Sequence, residues 1–128
     1  MEPKMTPSEL EAGLDQYRCT DNYWRHMGPL VLTDGAKFLA DQAGCYWLYD
    51  IVFSVLPKLR GEGFAAVKLT VDLAKKKGVV VIEDGNDRRL YRQVIKFTDF
   101  PLAAITLFLE DSEVGGKPAK VLMLPSEY

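Results

Sequence analysis

Tyr23-Trp24-Arg25-His26 and Tyr46-Trp47-Leu48-Tyr49-Asp50 together hold both tryptophans and the one histidine of this 128-residue chain. A histidine, a carboxylate and a guanidinium brought into one place can move a proton or grip an anion. Asp50 falls within an otherwise apolar run, so on a buried helix it must be paired, hydrogen-bonded or protonated. Read as chemistry, Asp50 is a general acid or base, His26 a proton shuttle oriented by Asp50 or Asp34, and Arg25 their polar neighbour. Read as structure, Asp50 accepts from Arg25, His26 or a backbone amide, and His26 is a satisfied hydrogen-bonder; this second reading is favoured. No serine or cysteine stands in a nucleophile motif such as a GxSxG elbow. The expectation therefore leans away from an enzyme. A small enzyme or ligand binder, with its site between helices and sheet, is the alternative.

The same residue types also suit contact surfaces. Trp24, Tyr46 and Trp47, with Arg25 at the rim, are of the kinds that dominate interface energetics. Phe100, in Thr98-Asp99-Phe100-Pro101, either tucks beneath the helices or protrudes as a contact point. Tyr128, beside the chain's terminal carboxylate, either docks into a partner or packs on its own sheet. Trp24, Arg25, Tyr46, Trp47, Phe100 and Tyr128 thus form the candidate contact set for a protein partner or a second copy.

Other chemistries find little support. Asp34, Asp41 and Asp50 come from different helix turns and would meet on a hard cation only by accident of packing, so no metal is expected. Gly61-Glu62-Gly63 and Gly115-Gly116 lack the lysine-serine and helix-start context of a phosphate loop, and no cofactor is expected. Lys75-Lys76-Lys77 and Arg88-Arg89 are separated by one strand, which places them at opposite ends of a sheet. With a net charge of −2, that argues against nucleic acid and against anionic membranes. No apolar run approaches the roughly 20 residues a bilayer span requires. Cys19 and Cys45 lack CxxC spacing, and Met1-Glu2-Pro3-Lys4-Met5 has no basic region leading into an apolar one. Two reduced thiols in a cytoplasmic protein are expected.

The elements that must position these residues follow from periodicity. Hydrophobic residues make up 48% and charged ones 27%, an ordinary globular balance, and the length suits one domain over residues 1–128. Residues 1–5 are expected to be disordered. Thr6-Pro7-Ser8-Glu9 is a capping box that starts a helix running to Tyr17. Arg18 to Leu32 reads as irregular or extended, broken at Gly28-Pro29. Thr33 caps a second helix, Asp34 to Ala43, that stops at Gly44. A third runs from Cys45 to about Leu56 and ends at Pro57.

Beyond Gly61 the period becomes two. Strands are predicted over Ala66–Leu73, Val79–Asp84, Leu90–Thr98, Ala104–Glu110 and Lys120–Leu124, with Asp84-Gly85-Asn86-Asp87 as a hairpin turn. Helices first and short-turned strands afterwards predict an α+β fold. The N-terminal helices should pack on one face of a meandering antiparallel sheet of about five strands.

In combination, several motifs resemble a small bacterial family of unknown function. They are Tyr23-Trp24-Arg25-His26, Thr33-Asp34-Gly35, Leu39-Ala40-Asp41, Ala43-Gly44, Tyr46-Trp47-Leu48 with Asp50, Phe97-Thr98-Asp99-Phe100-Pro101-Leu102 and Leu124-Pro125-Ser126-Glu127-Tyr128. The likeness covers nearly the whole chain from Tyr17 onward. It implies a short, free-standing bacterial protein, sometimes associated with phage or other mobile elements, and carries no activity. Cys19 and Cys45 lie outside the pattern, which weakens a catalytic-thiol reading. The expectation is a small cytoplasmic binding or regulatory module that works through protein contacts.

Overall fold

The protein is described from a computed structural model over residues 5–128; Met1 to Lys4 lie outside the described residues. Met5, expected to be disordered with them, packs against the core instead.

Helix α1 spans Pro7–Leu14 behind its Thr6 capping box, with Pro7 in the first turn. It ends three residues before Tyr17, and Leu10 and Leu14 are its buried edge. The segment read as irregular contains two strands, β1 (Tyr23–Met27) and β2 (Leu30–Thr33). They pair antiparallel around Gly28-Pro29, so that dipeptide is a hairpin turn rather than a simple break. Helices α2 (Asp34–Ala43) and α3 (Tyr46–Val55) follow. Thr33 caps α2 by accepting from the Ala36 amide, and Gly44 ends it in the left-handed conformation. At Pro57 the chain tightens into a 3-10 turn, Leu56–Leu59.

Strands β3 (Phe64–Asp72), β4 (Lys77–Glu83), β5 (Arg89–Ile95), β6 (Ala104–Val114) and β7 (Lys117–Met123) complete one sheet. The α+β class stands, but the sheet has seven strands and is mixed, in the order β1-β2-β7-β6-β3-β4-β5. β2 and β7 run parallel, a pairing of strands so distant in sequence that no local period marks it. The meander also fails at one step. β6 returns to lie beside β3 instead of β5, giving the Greek-key order of a fourth strand placed next to the first of three.

The connection that makes this return is Thr98-Asp99-Phe100-Pro101. The Thr98 amide donates to the Lys76 carbonyl at 2.9 Å, and Phe100 N–H donates to the Thr98 hydroxyl at 3.1 Å. The loop thus crosses the sheet end, where it buries Phe100 to 2% exposure and Leu102 to 7%. Phe100 must be removed from the contact set: it is a core residue that plugs the crossover.

All three helices add to a single core on one sheet face. That core joins Leu10, Leu39, Leu48, Tyr49 and Val52 to alternate strand residues such as Val67, Leu69, Val80, Ile82, Leu107 and Leu122. The strand period of two sends the intervening residues to the other face, where Lys68, Thr70, Arg92 and Val94 are exposed.

Candidate functional site

β1 is an edge strand whose sole sheet neighbour is β2. A β-bulge falls between the pairs Arg25–Val31 and Met27–Leu30, with His26 as the extra residue. Bulges of this kind re-aim a side chain. Here His26 reaches α3, where its Nε2 lies 2.7 Å from Asp50 Oδ1. The imidazole stacks on the Tyr46 ring at 5.9 Å and meets Tyr49 edge-on at 6.1 Å.

The dyad is one end of a continuous polar and aromatic chain. The Tyr46 hydroxyl donates to Asp41, and Lys37 Nζ lies 2.8 Å from the other oxygen of Asp41. That ammonium also sits 5.0 Å above the Trp24 ring, while the indole N–H donates to Asp34 Oδ1 at 2.9 Å. The second oxygen of Asp34 accepts from the amides of Asp21 and Asn22. The His26, Trp24, Asp21 and Asn22 links join β1 or the segment before it to α2 or α3, and Asp41 ties α2 to α3 and to Lys37 within α2. The chain is a lateral strap on an edge strand that has hydrogen-bonded support on one side.

Hydrogen bonds and burial shift the ionisation of several of the strap's groups. Burial alone would raise the Asp34 carboxyl, but the Trp24, Asp21 and Asn22 donors outweigh it and hold the group below 3.8. The hydrogen bond to Asp41 raises the Lys37 ammonium. Burial first, and Asp41 second, raise the Tyr46 phenol. Tyr49, fully buried, is pushed well above 10 by burial and gives its hydroxyl to the Ala36 carbonyl at 2.7 Å.

The sequence-predicted residues separate accordingly. His26 and Asp50 do meet, but Asp50 is 58% exposed at its side chain, because α3 turns it outward at its solvent edge. The buried carboxylate expected there is absent. Arg25 joins neither; its guanidinium folds onto the Gly28 carbonyl within the hairpin turn. Trp24 is 42% exposed, whereas Tyr46 and Trp47 pack partly against the core. Tyr128 is 68% exposed yet makes edge-to-face contacts with Phe64 and Phe108 at 5.5 and 5.4 Å. Cys19 is exposed and Cys45 buried, and burial pushes the Cys45 thiol up to about 12, which makes it inert as a nucleophile.

Two features were missed. Lys37 and Asp41 link the tryptophan to the tyrosine, and their i,i+4 spacing on a predicted helix was a readable signal. The second is Glu127. Its carboxylate accepts from the Thr33 hydroxyl at 2.6 Å and from the amides of Gly35 and Leu124 at 3.0 Å. An anion on the first turn of α2 complements the helix dipole. It also explains Gly35: a Cβ there would lie 2.5 Å from Glu127 Oε1 and 2.6 Å from Leu124 Cδ1. Thr33-Asp34-Gly35 and Leu124-Pro125-Ser126-Glu127 are thus the two halves of one joint.

Among the described residues no group of three or more His, Cys, Asp or Glu side chains could hold a metal ion. No helix of the described chain is long and apolar enough to cross a membrane. His26 and Asp50 line neither the 470 Å3 cavity beside Phe53 nor the 360 Å3 cleft between Trp24 and Tyr17.

The chain belongs to a family of unknown function (DUF6876), whose profile matches residues 8–128. No curated protein and no solved structure is significantly similar to it.

Proposed function

We propose that this member of the family is a non-catalytic binding or regulatory module of the bacterial cytoplasm. Its contacts are with proteins, and its docking surface is the β1 edge. The association with mobile elements that the resemblance implies belongs to the same proposal. One observation carries the reading. Tyr23, Trp24 and Met27 are 50%, 42% and 42% exposed, all on a strand with one free edge. Free edges offer unpaired backbone donors and acceptors to a further strand, and exposed aromatic side chains supply the anchors. The strap from Asp34 to Asp50 holds β1 rigid, so a partner strand would meet a preformed edge.

The partner tested first is a second copy. Light scattering across a wide concentration range should show the mass rising above the monomer's 14.4 kDa. Tyr23→Lys should shift that rise to roughly tenfold higher concentration, the effect of losing one hot-spot side chain. Tyr23 is the cleaner probe than Trp24, whose indole is already committed to Asp34. A constant monomer mass would overturn the second copy as partner. Association unchanged in Tyr23→Lys would overturn β1 as the surface.

A further inference from the structure

We propose that a cavity between α3 and the β1–β2 turn binds a small apolar carboxylate, an aromatic or short aliphatic acid. It stands apart from the protein contacts assigned to the β1 edge. The cavity measures about 470 Å3, within the range of small-molecule sites. Its walls are Pro29, Phe53, Leu56 and Pro57, and its two charged lining residues, Arg60 and Lys120, are both cations.

The fold builds each wall for a reason. Gly28 has φ +51, and a Cβ there would lie 2.9 Å from the Phe53 ring. This close approach seats the turn, and with it Pro29, against α3. The Lys120 amide donates to the Pro29 carbonyl at 2.9 Å, which ties the turn to β7. The 3-10 turn at Leu56–Leu59 then carries Leu56 and Pro57 along one side and delivers Arg60 to the mouth.

Arg60 specifies the ligand's charge, and Lys120 adds a donor. Lys120 Nζ donates to the Glu62 carbonyl at 3.0 Å and pairs with Asp111. An ammonium has three N–H groups, so one remains for a ligand. Arg60 has no acidic partner among the described residues, and its fork suits a carboxylate. Apolar walls with cations at the rim complement a molecule with one anionic end and an apolar body. A polyphosphate would bring several negative charges to a site with one unpaired cation among the described residues.

The test is an amide NMR titration with phenylacetate and with its neutral counterpart, phenylethanol. Phenylacetate should shift the amides of Gly28, Ser54 and Arg60 and bind roughly tenfold tighter than the alcohol. Arg60→Gln, at an exposed position, should remove most of that preference and leave alcohol binding intact. Ser54 is an exposed lining residue, and Ser54→Phe should fill the space and abolish binding of both probes in a folded protein. Three results would overturn the proposal: undisturbed amides at the cavity, equal affinity for the two probes, or a preference untouched by Arg60→Gln.

Discussion

Gly35 and Asp34 show how single residues at the start of α2 do opposite kinds of work. Glycine in a helix interior costs about 1 kcal/mol relative to alanine; at Gly35, the second residue of α2, the cost is smaller but of the same sign, so Gly35→Ala would stabilise an isolated helix. Here the added Cβ meets Glu127 and Leu124 at 2.5–2.6 Å. Glu127 is the end of a flexible side chain, but three donors hold it in place, and Leu124 is 3% exposed. Overpacking of this kind costs roughly 1–3 kcal/mol, enough to reverse the propensity gain. Gly35→Ala is expected to lower the urea midpoint, with the loss shrinking in a Glu127→Ala background. Asp34 acts through its charge. Its folded pKa lies below 3.8, so between the folded and unfolded values the unfolded chain binds more protons. It therefore contributes stability that is present above the unfolded value and is lost as pH falls through the folded one. Asp34→Asn should flatten the stability curve below about pH 4, and a curve that keeps its acid slope would place that slope on other carboxylates.

At the scale of elements, legibility followed locality. Thr6, Thr33, Gly44 and Pro57 announce helix ends through hydrogen bonds or φ preferences that lie within a few residues, and these ends were readable. Strands β3 to β6 carry a period of two because the helices cover one face of the sheet, so they too were readable; β7, buried without alternation from Val121 to Met123, was marked by the Gly115-Gly116 turn before it. β1 and β2 were not. β1 has five residues, four of them exposed, and all four residues of β2 are buried, so neither shows a clean alternation. The candidate site suffered in the same way. His26 and Asp50 could be suspected as partners, but the bulge that joins them and the outward turn of Asp50 depend on a strand that periodicity did not show. That strand also makes a testable element. Because Asp50 is largely exposed, Asp50→Ala should cost no more than about 1 kcal/mol globally. Amide exchange should nevertheless quicken selectively in β1, the element the strap holds, and equal change throughout the sheet would show that the strap is not local.

For the whole molecule, the joint between the last residues and α2 closes the architecture. The sheet's parallel pair, β2 with β7, brings the chain's two halves together, and Glu127 secures that junction from the end of β7 onto the helix that follows β2. Residues 124–128 look like a tail, yet three contacts argue otherwise. Leu124 is buried, a side chain worth roughly 1.5–3 kcal/mol when removed from water. Glu127 satisfies Thr33 and two amides; a hydrogen bond to a charged group contributes about 1.5–3 kcal/mol net, but with the tail removed water reaches the same donors and recovers part of this. Tyr128 adds edge-to-face contacts to Phe64 and Phe108. Removing residues 124–128 should therefore cost on the order of 3–5 kcal/mol, a large part of the 5–15 kcal/mol typical of a domain. Urea denaturation reads this directly. The truncated chain should unfold at a much lower midpoint, and the Gly35→Ala penalty should vanish in it, since the atoms that the Cβ meets are gone. An unfolding free energy within about 1 kcal/mol of the intact protein's would mean that α2 and the parallel strand pair hold together unaided, and that Glu127 only occupies a helix end already satisfied by water.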